Sequence, residues 1–149
     1  MGACGERAVD DDIRLVPYYR SDEVSLPWYQ DPELCKQVDN IDHVYDLERL
    51  HNMYDYLNSH GVCFFIEYQG KLVGDISLGD NGEISAVVCR EYQNRRIGRR
   101  CVAEILKLAR EKGMDRVKAQ IYSFNEQSRQ MFTSMGFVKT DGDWYEYML

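Results

Sequence analysis

Residues 84–88 (Ile-Ser-Ala-Val-Val) have the apolar, β-branched character of a strand, and a short polar loop leads from them straight into an amphipathic helix beginning near Ile97. Ile97, Cys101, Val102, Ile105, Leu106 and Ala109 recur at helical spacing, and Gly113 provides the stop, so the helix is expected over 97–112. A strand followed by a helix this long commits the chain to a crossover. The next strand, 117–122, should therefore return parallel to the first by a right-handed connection. The same junction sets a helix N-terminus at the sheet edge, where free N–H groups and the positive end of the helix dipole point outward. Arg95, Arg96, Arg99 and Arg100 crowd it. Such a place suits an anion, most naturally a phosphate. The alternative is a charged helix start that merely faces water, and the loop alone leaves both open.

Around this junction the remaining elements follow from period and turn chemistry. Residues 13–19 alternate weakly as a first strand, Ser21-Asp22-Glu23 marks a helix start, and Asp31-Pro32-Glu33 starts another with proline at its first position. Trp28 and Tyr29 either line a pocket or anchor a helix on the sheet. Leu47, Leu50, Tyr54 and Leu57 define a helix over 45–60 with Gly61 as its stop. Strands at 62–68, 71–78 and 83–88 are joined at Gln69-Gly70 and Asn81-Gly82; the second is a hairpin signal in which both positions take positive φ. Ser123 and Glu126 have capping-box spacing for a helix to Met135, and residues 137–140 and 144–148 form a closing hairpin about Asp141-Gly142. The expected fold is α/β (α+β), with a single mixed, mostly antiparallel sheet of six to seven strands and helices on both faces. Residues 1–11 are expected as a disordered tail and 12–149 as one domain.

At 149 residues the chain can bury a sizeable core without staples. It has no apolar run near the roughly 20 residues that span a bilayer and no signal-peptide pattern, so no membrane association and a cytoplasmic location are expected. Five cysteines without a Cys-x-x-Cys pair support neither a disulfide framework nor a zinc site, and no metal is expected. Cys63, Cys89 and Cys101 fall in apolar patterns, as small buried hydrophobes do. No histidine is placed to activate a cysteine nucleophile. The net charge of −7 argues against nucleic acid and for a cationic partner.

Gln93-Asn94-Arg95-Arg96-Ile97-Gly98 resembles the Gln/Arg-x-x-Gly-x-Gly/Ala acyl-CoA loop of the GCN5-related N-acetyltransferase (GNAT) family. The likeness continues through the helix to Asn125, Ser128 and Gly136-Phe137, and the element order matches over nearly the whole chain. Arg96 departs from it, standing where the family usually has its first glycine. The resemblance implies acetyl-CoA as co-substrate. Its pantetheine arm would bond backbone groups of Ala86, Val87 and Val88 where two strands splay, and its pyrophosphate would rest on the amides of residues 94–99, with Gln93, Asn94, Arg95, Arg96, Ile97, Gly98 and Arg99 forming the cradle. Asn125 would reach the cofactor and Ser128 would lie close by; as residues alone, both also read as ordinary first-turn polar groups.

The family's oxyanion donor corresponds to the Val88 amide. The tyrosine that protonates the leaving thiolate in many relatives corresponds to Phe132, which has no proton to give, so Tyr122, Tyr145 and Tyr147 become candidates for the acid. Glu83 is the first candidate base, with Asp75, Asp80 and Gln120 competing. The implied activity is transfer of acetyl from acetyl-CoA to a primary amine in a ternary complex, without a covalent enzyme intermediate. The acceptor would be a small amine or peptide amine of cationic character. The alternative is a non-catalytic acyl-CoA-binding sensor or interaction module. Trp144, Tyr145 and Tyr147 are candidates for a homodimer contact.

Overall fold

The structure, a computed structural model, describes residues 5–149. It is organised by strands that meet in two groups. The first is an antiparallel meander in spatial order β1 (Arg7–Ala8), β2 (Ile13–Pro17), β3 (Gly61–Tyr68), β4 (Lys71–Gly79) and β5 (Ile84–Val88). The second is the antiparallel trio β6 (Arg116–Gln120), β8 (Trp144–Met148) and β7 (Val138–Lys139), with β8 in the middle. The expected α/β class is found, but the sheet is divided in two. One isolated parallel bridge, Glu83 with Lys118, joins the halves, as the crossover rule required of β5 and β6.

Helices α1 (Asp22–Ser25), α2 (Pro32–Asp39) and α3 (Leu47–Ser59) cover one face, and α4 (Ile97–Glu111) covers the other. β3 feeds both: Phe64 and Ile66 join Ile97, Cys101 and Ile105 of α4, while Cys63 and Phe65 join Tyr29, Leu34, Leu50 and Tyr54. Each such fully buried side chain contributes about 1.5–3 kcal/mol from burial. Tyr29, with its ring buried against α2 and α3, is an anchor rather than a pocket wall.

Several local expectations change. Of the expected tail, residues 1–4 lie outside the described residues, but Arg7 and Ala8 pair with Leu15 and Arg14 of β2. The Arg7 guanidinium holds them down, meeting Glu104 at 3.0 Å and Glu111 at 2.8 Å on α4. Gln69 and Gly70, with φ of 50° and 84°, form the turn with two positive dihedrals; at Asn81-Gly82 only Gly82 is positive, at 88°. There the Asn81 Oδ1 accepts from the Glu83 amide (3.0 Å) and Gly82 N donates to the Gly79 carbonyl (2.9 Å), so a side-chain-closed turn replaces the two-residue one. α5 (Glu126–Ser134) starts at Asn125, whose Oδ1 accepts from Ser128 N at 3.3 Å, and not at Ser123. Trp144, Tyr145 and Tyr147 lie on the central strand of the small sheet. Tyr145 is buried, Tyr147 packs on Phe137, and Lys118 lies over the Trp144 ring.

Among the described residues the most deeply buried acid is on β4. The Asp75 Oδ2 accepts hydrogen bonds from the Tyr29 hydroxyl (2.7 Å) and the Tyr54 hydroxyl (2.8 Å). Burial pushes its carboxyl up to about 6 from the ordinary 3.8, against the opposing pull of the two hydroxyls. The folded chain therefore holds this proton more tightly than the unfolded chain does. The resulting penalty is absent below the unfolded value, grows through the window between the two, and is complete above pH 6. In Asp75→Asn, which keeps an oxygen for the tyrosines, the stability difference from wild type should move in the variant's favour by roughly 2–3 kcal/mol between pH 4 and pH 7. Urea midpoints measured across that range check it, and a pH-independent difference would show that Asp75 titrates normally.

Candidate functional site

β5 and β6 touch once and then part. Lys118 N donates to the Gly82 carbonyl at 2.9 Å beside the Glu83–Lys118 bridge, and beyond it no further ladder joins the two strands. Between them opens a cavity of about 750 Å³. Its walls are β5, β6, the loop after β5, the inner side of α5, and Gln37, Val38 and Asp39 at the end of α2.

Strand alternation decides which backbone groups face this gap. Gly79 N donates to the Glu83 carbonyl and Cys89 N to the Val73 carbonyl, so odd-numbered residues of β5 turn their N–H and C=O toward β4. The even-numbered Ile84, Ala86 and Val88 turn theirs toward the gap. Of the three residues expected to bond a pantetheine arm, Ala86 and Val88 have the right orientation and Val87 does not. The Val87 carbonyl lies so close to Gly74 that a Cβ there would sit 2.0 Å from it, and this close approach is why β4 carries glycine at that point. The Val88 carbonyl accepts from the Gln93 side-chain amide (2.9 Å), which also donates to the Gln37 Oε1 (3.1 Å).

The loop at the far end alternates in hand, with Asn94 at φ 65° and Arg96 at 62°. Left-handed residues of this kind turn successive N–H groups inward, a concave arrangement that binds anions. The position where the family has glycine is thus a true left-handed one, and Arg96 occupies it at a cost of the order of 1 kcal/mol. No side chain caps α4, whereas Asp31, Asp46 and Asn125 cap α2, α3 and α5. The amides at the start of α4 thus have no side-chain cap.

The four arginines divide. Arg96 and Arg99 line the cavity, and Arg99 donates to the Ser134 hydroxyl on α5. Arg95, expected in the cradle, instead lays its guanidinium over the Tyr92 ring, 4.9 Å from the centroid, and is absent from the lining. Arg100 turns away altogether. It donates to the Arg95 carbonyl (3.1 Å), the Arg96 carbonyl (3.2 Å) and the Asp10 carboxylate (2.8 Å), pinning the loop's carbonyls outward so that its amides face in.

Asn125 and Ser128 line the cavity, and Asn125 also caps α5 and donates to the Gln37 carbonyl at 3.3 Å. Among the catalytic candidates Glu83, Gln120 and Tyr122 line it. Asp75 does not, being enclosed by Tyr29 and Tyr54 on the face that carries α3, and Asp80 lies in a smaller neighbouring cavity. Tyr145 and Tyr147 are taken up by packing, with their hydroxyls met by Arg129 and Arg110. Burial, with Asp39 and Asp143 nearby, raises the Tyr122 hydroxyl above its ordinary value and so keeps it a proton donor. Phe132 lines the cavity with its ring edge-on to Phe137. Burial likewise pushes up the thiols of Cys35, Cys63, Cys89 and Cys101, that of Cys101 to about 12, which suits inert packing groups. Among the described residues no cluster of His, Cys, Asp or Glu could hold a metal ion, and no helix is long and apolar enough to cross a membrane. The α2 wall at Gln37, Val38 and Asp39 had no sequence signal, because only the tertiary fold carries it to β5.

The profile of the acetyltransferase (GNAT) family matches residues 25–137, most of the chain. The chain belongs to this family. Acetyl-CoA is the family's co-substrate. Solved structures share the fold. A domain from Methanocaldococcus jannaschii aligns with TM-score 0.81 and 23% identity over 94% of this chain and all (100%) of its own. The Salmonella typhimurium yncA protein, solved with its cofactor acetyl-CoA, aligns at 0.70 and 20% over 93% and 91%. The Salmonella typhimurium acetyl transferase that modifies the N-terminal serine of ribosomal protein L7/L12 aligns at 0.74 and 14% over 97% and 99%.

For a GNAT protein the Arg100 tie gives an unusual expectation. Removing the negative charge of Asp10 should strengthen phosphate binding if Coulomb attraction alone mattered. Asp10→Asn keeps the bonds from the Asp12 and Ile13 amides but loosens Arg100, so acetyl-CoA should bind about threefold to tenfold more weakly by calorimetry. Tighter binding would mean that the loop holds its shape unaided.

Proposed function

We propose that this GNAT protein is an N-acetyltransferase that moves acetyl from acetyl-CoA directly to a primary amine in a ternary complex. The observation that carries the reading is the gap between β5 and β6, running from Glu83 at the strand bridge to the uncapped start of α4. The pyrophosphate rests on the amides of residues 94–99 beside Arg96 and Arg99, and the pantetheine arm runs along β5 against Ala86 and Val88. The thioester lies beside Val88, and Glu83 stands about 17 Å back along the strand, so water in the cavity relays the amine proton to it. Asn125 and Ser128 close the arm in from α5.

The cavity is polarised in a way that fits an amine acceptor. Arginines stand at its α4 end, and Asp39 and Glu83 stand among its other lining residues. An α-amino group has a pKa near 8 and lysine about 10.4, so the acceptor arrives as an ammonium and must lose a proton before it attacks. Glu83 takes that proton. The nitrogen lone pair then adds to the thioester carbon, and the carbonyl oxygen, now negative, is met by the Val88 N–H. The C–S bond breaks with its electron pair on sulfur, the second amine proton leaves, and Tyr122 protonates the thiolate in place of the absent tyrosine at Phe132. The net chemistry is ammonium plus acetyl-CoA giving amide, CoA thiol and one proton. The Salmonella typhimurium relative that acetylates a protein N-terminus supports a peptide amine as one acceptor class.

Thiol release across a panel of amines tests the reaction. Turnover with at least one primary amine is expected, whereas tight acetyl-CoA binding without turnover would favour the non-catalytic sensor. A Cβ at Gly98 would meet only the Met131 sulfur at 3.5 Å and a Val88 methyl at 3.9 Å, so the fold accommodates substitution there. Gly98→Asp should fold yet bind acetyl-CoA at least about tenfold more weakly, because it sets a negative charge at the helix start. Unchanged affinity would move the phosphates elsewhere. Tyr122→Phe should lower kcat by on the order of 10²-fold with acetyl-CoA binding intact; an unaffected kcat would remove Tyr122 from the mechanism.

A further inference from the structure

We propose that this protein acetylates itself, within one chain, at Lys36, whose side chain lies at the rim of the gap between β5 and β6. The proposal rests on the acetyl-transfer reading above and adds to it a target inside the chain. Lys36 is in the last turn of α2, next to Gln37, Val38 and Asp39, which form one wall of the large cavity. That wall is tied to both sides of the gap. The Gln37 Oε1 accepts from the Gln93 side chain on the β5 side (3.1 Å), and the Gln37 carbonyl accepts from the Asn125 side chain on the β6 side (3.3 Å). Lys36 is thereby held at a fixed place along the opening.

Two stacked rings lead from Lys36 to the cavity. Its ammonium lies 5.3 Å from the Phe124 centroid, and Phe124 stacks on Tyr122 with centroids 5.8 Å apart and planes 3° apart. Tyr122 lines the cavity and is the proposed acid. A cation over an exposed ring is held weakly, so this lysine stays near the opening yet can swing into it. The other five lysines are placed differently. Lys71 and Lys107 are paired with Glu91 and Glu104, and Lys118 lies over Trp144. Lys112 caps the far end of α4 and Lys139 is on β7, and neither lines the cavity. Among the described residues Lys36 has no carboxylate partner that would hold it back.

A tethered amine meets a bound thioester at a high effective concentration. The Lys36 Nζ first gives one proton to water in the cavity, and its lone pair then adds to the thioester carbon. The C–S bond breaks with its electron pair on sulfur, and Tyr122 protonates the thiolate. The second proton lost from the nitrogen restores Tyr122. One lysine ammonium and one acetyl-CoA give one acetylated Lys36, one CoA thiol and one proton, once per chain. The modified side chain is neutral, so it loses its attraction to the Phe124 ring and removes a cation from the C-terminal end of α2. The acetyl group thus acts on the same wall that carries it.

Incubation of the full chain with acetyl-CoA and no added amine, followed by peptide mass spectrometry, tests this. Lys36 should be acetylated at least about tenfold faster than Lys112 and Lys139, which report the uncatalysed reaction, and at a rate per chain that does not depend on protein concentration. Excess CoA, which fills the cavity without bringing an acetyl group, should slow the reaction at Lys36 and leave Lys112 and Lys139 unchanged. Lys36→Arg, which keeps the charge over Phe124, should cut amine-free thiol release to background while an added amine is turned over within about twofold of wild type. Modification of Lys36 no faster than of Lys112 and Lys139, no protection by CoA, or a rate per chain that climbs with protein concentration overturns the proposal. If added amines are turned over while Lys36 stays unmodified, self-acetylation falls and the acetyl-transfer reading stands. Failure of the wild type to bind acetyl-CoA at all overturns both.

Discussion

A sheet that stops being a sheet between its fifth and sixth strands governs this molecule. The Lys118 amide and the Gly82 carbonyl make the joint, and past it the outward-facing groups of Ala86 and Val88 find no partner on β6. Backbone groups away from water must be bonded somewhere, so the parted strands create a demand that a ligand rich in amides can meet. The Gln93 side chain meets part of it within the chain, donating to the Val88 carbonyl and to Gln37. A cofactor arm that takes over the Val88 carbonyl must displace that amide, and with it the link to α2. In the proposed reading, cofactor entry and the position of the α2 wall are coupled through one glutamine.

Charge is sorted along the gap. A chain of net charge −7 gathers arginines where α4 begins, and uses them for two purposes. Arg96 and Arg99 border the cavity, while Arg95 and Arg100 hold the loop in shape. The left-handed residues at 94 and 96 require support, because each non-glycine residue there is less stable than an ordinary backbone conformation. Arg100 provides it from one helical turn away, and Asp10 fixes Arg100 from the segment between β1 and β2. The segment that follows the N-terminal strand therefore supports the arginine-rich end of the cavity.

What the sequence disclosed was whatever is encoded locally. The amphipathic stripe of α4, the β-β-β run, the crossover to β6 and the identity of the loop residues all follow from period and turn chemistry within a few residues. The Asn81-Gly82 turn misled because the asparagine side chain competes with the backbone for the Glu83 amide. Ser123 misled because Asn125, two residues on, is the stronger cap in place. The split of the sheet, the wall from Gln37 to Asp39, and the outward turn of Arg100 are long-range events, set by partners distant in sequence such as Asp10. The tail was misjudged for the same reason, since the acidic partners of Arg7 lie on α4.

Asp75 and Glu83 show how the fold encloses one carboxylate and leaves another open to a cavity. Asp75 and Glu83 sit on neighbouring strands, and both were candidate bases. Asp75 is enclosed by Tyr29 and Tyr54, and both hydroxyls donate to the same oxygen, so a proton held there has no path to a substrate in the gap. Its raised pKa, attractive in a base, comes from the same enclosure that removes it from the chemistry. Glu83 lies at the bridge where β5 and β6 separate, bordering two cavities at once. Access, and not the ease of holding a proton, is what selects between them. In the proposed reading, a group that must exchange its proton on every cycle has to lie where the sheet opens, and β5 parts from β6 at Glu83.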